Sequence, residues 1–394
     1  MKGDNRIFEV LFISVFAAML GLGIIGPLLP IYAENLGATG LWIGIIFSGF
    51  AAARAVFMPI VGRISDESGR KKFIVFGLFA YAVLSLGYVT AGSVYSLTAV
   101  RFLHGIASAM VVPIAMAYIG DLSKRGEEGE HMAKFQVSFF LGLGSGPLLG
   151  GVLNDAFGFA SAFYAMAALS ALAFLVVVVF LPEAGGISPS GREERITLRG
   201  IYSHPAIFGV LAFTALNAVV RGILLVFMPL YAPKISVVPG QVGLILTVSI
   251  FLMAIFQIPM GRMADRGKAT TMILVGSLVS AASLALIPAA DSFWDLFIAA
   301  SANGIGSACM VPALMALTVK LGKEIGMGTS MSAYNTAMSV GMVTAPLLGG
   351  VVMDVSSIRS VFLLGGALGV GATALVYLST RRSLSSVEAE GSSS

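Results

Sequence analysis

Charge is what this chain has least of. Only 11% of its 394 residues are Asp, Glu, Lys or Arg, against about 25% in a soluble domain. A soluble protein of this length needs more charge to cover its surface, so the composition excludes an ordinary water-borne enzyme or binding module and makes lipid the expected solvent. A hydrophobic content of 57% and a mean hydropathy of +0.93 agree. The single cysteine, Cys309, excludes a disulfide within the chain. No cluster of His, Cys and carboxylates is spaced to hold a metal, and no Ser/His/Asp arrangement suggests hydrolysis. No cofactor, metal, catalytic residue or nucleic-acid partner is expected.

What is there is long apolar runs. A helix needs roughly 20 apolar residues to cross the hydrocarbon, and blocks of that kind fall near 8–33, 41–62, 73–92, 94–119, 132–155 and 159–181, then near 204–232, 240–262, 269–289, 292–317, 327–353 and 358–380. The first follows Met1 to Arg6 without the early end that a cleaved signal peptide needs, and is expected to stay attached as a membrane helix. Lys and Arg orient the set. Of twenty-four, nineteen lie in the tails and even-numbered loops, only Lys234 and Arg359 in odd-numbered loops, and Arg54, Arg101 and Arg221 inside spans. This bias places both termini in the cytoplasm of a cell-membrane protein and requires an even number of crossings.

The two sets of six repeat at an offset of 199 residues. Pro30 and Tyr32 return as Pro229 and Tyr231, Gly62, Arg63 and Asp66 as Gly261, Arg262 and Asp265, Gly105 and Pro113 as Gly304 and Pro312. The string from Pro147 to Val152 returns from Pro346 to Val351, and Asp155 as Asp354. Six crossings per copy make these parallel repeats. The fold expected is an all-α integral membrane protein of twelve transmembrane helices in two pseudo-symmetric six-helix bundles. Residues 1–181 form the first and 204–380 the second, with a polar cytoplasmic linker at 182–203 and a cytoplasmic tail at 381–394.

Three motifs stand on this frame. Gly62-Arg63-Ile64-Ser65-Asp66-Glu67-Ser68-Gly69-Arg70-Lys71-Lys72 follows the second span, Arg101-Phe102-Leu103-His104-Gly105 opens the fourth, and the fifth carries Gly142 to Gly151 with Gly144, Gly146, Pro147 and Gly150. The first resembles the signature loop of the major facilitator superfamily. That resemblance implies a cytoplasmic latch at Gly62, Asp66, Gly69 and Arg70; the second-half copy is degraded, Lys268 being followed by Ala269 and Thr270. The second is similar to the R-x-x-x-G motif of proton-coupled members. The third, at Gly142, Gly146, Pro147, Gly150 and Gly151, resembles the "antiporter" motif of drug:proton exporters, although helix packing explains it too, since Pro346, Gly349 and Gly350 share part of it. Gly21-x-Gly23-x-x-Gly26 matches a dinucleotide fingerprint but lies within a span with no strand before it. Gly261 to Lys268 has the wrong spacing for a phosphate loop, so an ATP-driven pump is not expected.

The repeat also sorts polar residues: those in both copies are scaffold, those in one need another reason. Arg54 pairs with Met253, Arg101 with Ala300, Arg221 with Leu22 and Asn217 with Ala18. A charge at the bilayer centre costs several kcal/mol, so it faces a cavity or partner unless it snorkels to an interface. Arg221, Asn217, Arg54, Met228 and Phe139 are the candidates for contacting a substrate. A cavity lining of Met19, Met110, Met228, Met253, Met310 and Met338 with Phe16, Phe139, Phe140 and Phe251 would suit varied ligands; ordinary packing accounts for the same residues. Gln136, Gln257, Asn303 and Asn335 read equally as packing hydrogen bonds. Proton coupling needs a titratable group, and the first span has no carboxylate between Glu9 and Glu34. Glu34 and His104, beside Arg101, are therefore the coupling candidates, His104 because imidazole titrates near neutral pH.

The function expected is secondary active transport by alternating access: proton-coupled efflux of amphipathic small molecules by a monomer, its partners a small-molecule substrate, the coupling proton and the bilayer. The alternatives are a metabolite or organic-anion carrier, favoured by three span arginines without a central carboxylate, and a non-transporting receptor on a carrier scaffold, which the short loops argue against.

Overall fold

Hydrocarbon cannot satisfy backbone N–H and C=O groups, so a chain this apolar must pair them within each segment. The computed structural model describes residues 2–122, 128–182, 205–325 and 327–391. Among these, all regular elements are helical, and twelve helices are long and apolar enough to cross a membrane. In the first half they are α1 (Lys2–Ile25), a short α2 (Leu28–Asn35), α3 (Gly40–Ser68), α4 (Arg70–Thr90), α5 (Val94–Leu122), α6 (Glu128–Phe157) and α7 (Phe159–Phe180). In the second they are α8 (Pro205–Tyr231), α9 (Pro239–Met263), α10 (Ala269–Leu286), α11 (Phe293–Ile325), α12 (Met327–Val355) and α13 (Ile358–Gly391). Many hydroxyls within the helices bond back one turn, as Ser14 to the Val10 carbonyl at 2.6 Å and Thr318 to that of Leu314 at 2.9 Å, which satisfies those donors inside the apolar layer.

One apolar block is not one helix. The run 8–33 breaks after Ile25, where Gly26 donates to the Gly23 carbonyl at 3.2 Å and Pro27 precedes α2. The second copy has Val226 at the place of Pro27, and α8 continues without a break to Tyr231. A proline supplies no N–H to continue the ladder, and Gly26 before it, where the second copy has Leu225, adds a residue that weakens a helix. The tight turn between α3 and α4 rests on Gly69 at φ 94°, a conformation open to glycine. At the repeated position stands Lys268, and there the chain passes through a π turn, Ala264–Lys268, instead.

The chain divides into two compact units, Met1–Gly191 with Pro229–Ile250, and Arg192–Met228 with Phe251–Ser394. Residues 183–203 of the expected linker lie outside the described residues. The core of the first unit joins Leu11, Val15 and Met19 of α1 to Ile74, Leu78 and Tyr81 of α4, Val111 and Tyr118 of α5, and Val177 of α7. That of the second joins Phe213, Ile273, Met310, Leu314, Tyr334 and Val376. Large apolar side chains also face outward, among them Phe76, Val179, Ile255 and Ile298. That is the reverse of a water-exposed surface and the form expected in lipid.

The glycine-rich motif of α6 is a packing surface. Gly142 lies against the Phe16 carbonyl and Gly150 against that of Ile24, and a Cβ placed on Gly146 would fall 2.5 Å from Gly23 Cα. The register holds in three dimensions. Gly341 lies against the Ala215 carbonyl and Gly222 against Ala345, each residue 199 positions beyond its counterpart. Gly151 meets Pro239 and Gly240 at the start of α9, and Gly243 meets the Pro147 carbonyl. Beside them the Leu148 amide donates to Thr247 Oγ1 at 3.2 Å. Asp155 accepts from the Gly240 amide at 2.8 Å, filling one of the free N–H positions at a helix start, where negative charge is favoured.

Gly146→Val should therefore lower thermal stability by about 1–3 kcal/mol or more, because the clash is with backbone that cannot move aside. Gly62→Ala is the contrast. Nothing lies within 4 Å of a Cβ there, and alanine in a helix interior gains about 0.5–1 kcal/mol over glycine. Melting of the two purified variants checks both; equal losses would contradict the packing account.

Candidate functional site

Three helices of the first unit assemble a buried polar cluster. Gly105 of α5 sits on the Phe50 carbonyl of α3, and Gly77 of α4 sits against Ala107, Met110 and Val111 of α5. These close approaches bring three faces together. α3 contributes Phe47, Phe50 and Arg54 and α5 contributes Arg101, His104 and Ser108, both at the i, i+3, i+7 spacing of one helical stripe; α4 contributes Tyr81 and Tyr88, seven residues apart.

Arg101 is 4% exposed. Its guanidinium carbon lies 4.2 Å from the Phe50 ring centre and 5.3 Å from that of Phe47, a cation–π arrangement. His104 is fully buried. Its Nδ1 is 2.8 Å from the Tyr88 hydroxyl, which also faces Arg101, and the Tyr81 and Phe50 rings meet the imidazole edge-on at 4.4 and 5.5 Å. Tyr88 in turn stacks on Phe163 at 5.4 Å. Arg54, half-buried, borders the cluster through its electrostatic coupling to Tyr81. The three helices bring neither arginine a carboxylate: α3 has no Asp or Glu before Asp66, α4 has none, and α5 has none before Asp121. Among the described residues, Arg101 Nε and Nη1, His104 Nε2, the Tyr81 hydroxyl and the Ser108 hydroxyl lack a hydrogen-bond partner of good geometry, although the Tyr81 and Ser108 hydroxyls face each other.

The second unit holds a plainer counterpart. Asn303 and Ser280, at the repeat positions of His104 and Tyr81, bond to each other at 2.7 Å. Elsewhere in that unit Asn217 Nδ2 reaches Met310 Sδ at 3.0 Å, and Arg221, one turn along α8, is coupled to Tyr334 of α12. Of the candidates for substrate contact, Asn217 and Arg221 thus share a face, and Arg54 lies in the first-unit cluster. Met228 is fully buried, and Phe139 is half-buried with its ring edge-on to Phe140 at 5.5 Å. Met19, Met253 and Met310 are buried as well, while Met338 is 41% exposed. Of the coupling candidates, Arg101 and His104 are neighbours, and Glu34 is exposed on α2.

At the other end of α3 the latch motif acquires a partner that the motif does not contain. Arg70 pairs with Asp66 at 3.0 Å and, through Nε, with Asp121 at the end of α5. Lys71 donates to the Val178 carbonyl of α7 at 3.1 Å. Arg70 thus ties the ends of three helices. Asp265 and Gly267, which echo the motif in the second half, have side chains outside the described residues. Asp121, Tyr81 and Tyr88 were missed among the polar candidates although the repeat marks them: their counterparts are Lys320, Ser280 and Ile287.

A double-mutant cycle on Arg70→Gln and Asp121→Asn should give a coupling of about 1–3 kcal/mol, the range for a hydrogen bond to a charged group. The Arg70–Asp66 pair should give less, because Asp66 is 45% exposed and solvent screens it. Thermal unfolding of the four proteins checks this, and a coupling near zero for Asp121 would contradict it.

Comparison with known proteins agrees with this architecture. The family model of the Major Facilitator Superfamily matches residues 11–238 and 210–393. An uncharacterized MFS-type transporter of Methanocaldococcus jannaschii is 30% identical over 97% of this chain and 100% of its own length. The quinolone resistance protein NorA of Staphylococcus aureus is 24% identical over 95% of this chain and 96% of its own. The crystal structure of a bacterial homolog of the human lysosomal transporter Spinster superposes with a TM-score of 0.82 at 13% identity, covering 97% of each chain. Twelve apolar helices, a repeat that holds in sequence and in packing, and matches along essentially the whole length lead to one conclusion: the chain is a multi-pass membrane protein that belongs to the Major Facilitator Superfamily of transporters.

Proposed function

We propose that this chain works by alternating access, residues 1–181 rocking against 204–380, and that it expels amphipathic small molecules in exchange for protons entering the cell. The observation that carries the reading is the cluster at Arg101 and His104: an unrepeated cation beside a buried imidazole, in the helix whose motif resembles that of proton-coupled carriers. Full-length similarity to a quinolone resistance protein supports efflux. The exchange needs a group that gains and loses a proton. Arginine stays protonated in proteins, and imidazole is the side chain suited to it near neutral pH. The groups facing His104 are Arg101 on its own helix, Tyr81 and Tyr88 on α4 and Phe50 on α3. Both termini lie in the cytoplasm on this reading, as the Lys and Arg bias requires.

A second reading, a carrier of organic anions, is favoured by one observation: Arg54 and Arg101 share a cluster without a carboxylate.

Expression in a pump-deficient host should lower the steady-state accumulation of a lipophilic cationic dye several-fold, and collapse of the proton gradient should abolish the effect. Unchanged accumulation would remove the cation-efflux reading. In liposomes, His104→Gln should lose most proton-driven flux and flatten its pH profile. An unaltered pH profile would remove His104 from coupling.

A further inference from the structure

The cluster on α3, α4 and α5 is unusual in the sign of its hydrogen-bonding groups. Arg101 offers two unpartnered N–H atoms and no acceptor. The Tyr88 oxygen, facing Arg101, is placed to accept from it, which turns the Tyr88 proton toward His104 Nδ1. A neutral His104 then carries its own proton on Nε2, and that nitrogen is also unpartnered. The Tyr81 and Ser108 hydroxyls, which face each other without a well-aligned hydrogen bond, complete a set of five atoms able to donate. Buried polar groups in proteins are almost always paired, and buried charges are paired or ligated. Here these atoms and the positive charge of Arg101 belong to one cluster, with Arg54 at its border, and the three helices supply no carboxylate at this level.

We infer that this cluster binds the carboxylate of an amphipathic organic acid, its two oxygens taking up the free donors of Arg101, Tyr81, Ser108 and His104. A carboxylate accepts about four hydrogen bonds and forks onto a guanidinium, which matches the donor set better than a lone proton or a neutral amide. The Phe47 and Phe50 rings beside Arg101 give the acid an apolar flank. The assignment rests on the second, organic-anion form of the transporter reading and names the residues that hold the acid. An oxyanion of inorganic origin has the same acceptor chemistry, so the test must separate the two.

The test is equilibrium binding to the full chain in lipid nanodiscs, with no gradient and no flux. The probes are 1-pyrenebutyrate, the neutral 1-pyrenebutanol, and sodium sulfate. Pyrenebutyrate should raise the melting temperature by several degrees, and pyrenebutanol and sulfate should not. Tyr81→Phe and Ser108→Ala each remove one donor and leave the fold's apolar contacts in place; each should weaken pyrenebutyrate roughly ten- to a hundredfold, the worth of one hydrogen bond to a charged group. Arg101→Gln should abolish the preference for acid over alcohol, and should it fail to fold, the two hydroxyl variants still decide. Equal binding of acid and alcohol, or unchanged affinity in both hydroxyl variants, overturns the site. Stabilisation by sulfate alone, with no further shift from pyrenebutyrate, overturns the organic-acid assignment. Absence of proton-driven efflux by the wild-type chain, with carboxylate binding intact, would instead refute the coupling reading and leave this one standing.

Discussion

A polar group held away from water must find a partner inside the protein or cost free energy. In hydrocarbon that rule has no exceptions at the surface, because lipid supplies neither donors nor acceptors. The helical form of the chain follows from it, as do the hydroxyls bonded back one turn, at Ser14, Ser85 and Thr214 among others. So does the concentration of Lys and Arg between the spans. The same rule gives the glycines of α6 their role. Helices satisfied within themselves attract one another mainly through close contact, and Gly142, Gly146 and Gly150 allow α1 and α6 to touch backbone to backbone.

The architecture was legible because it is periodic and redundant. Span length, cation placement and the 199-residue register each express the bilayer, and the register reappears as contact, Gly142 on Phe16 and Gly341 on Ala215. What escaped was local or long-range. The break at Gly26 and Pro27 sits inside an apolar run and is hidden by hydropathy. Asp121 lies 51 residues from Arg70 and enters the latch only because α4 and α5 pack side by side. Tyr81 and Tyr88 looked like core aromatics, which they also are; their polar roles depend on the rotation of α4 toward His104. For the cavity-lining methionines, burial of Met19, Met228, Met253 and Met310 fits the packing alternative.

The two copies show how a scaffold acquires a special site. Where the second half closes a simple pair, Asn303 to Ser280, the first half has His104, Tyr81 and Tyr88, and adds Arg101 where the second has Ala300. The pair is self-sufficient. The elaborated version is not, since five of its polar atoms lack partners, and buried donors left unpaired are destabilising. On the reading proposed above, stability is given up at one copy of a repeated position, and kept at the other, for a site that a ligand completes.

That claim is tested most directly by the ligand-free melting temperature of Arg101→Met. Methionine keeps length and apolar contact with Phe47 and Phe50 but removes a buried charge that has no counter-charge. Replacing such a group with an apolar one of similar volume is commonly stabilising, and the cation–π contacts forgone are worth less than the desolvation regained. The account predicts a melting temperature above that of the wild-type chain. One clearly below it would mean that Arg101 holds the fold together by its charge, and that the cluster is structure and not a site.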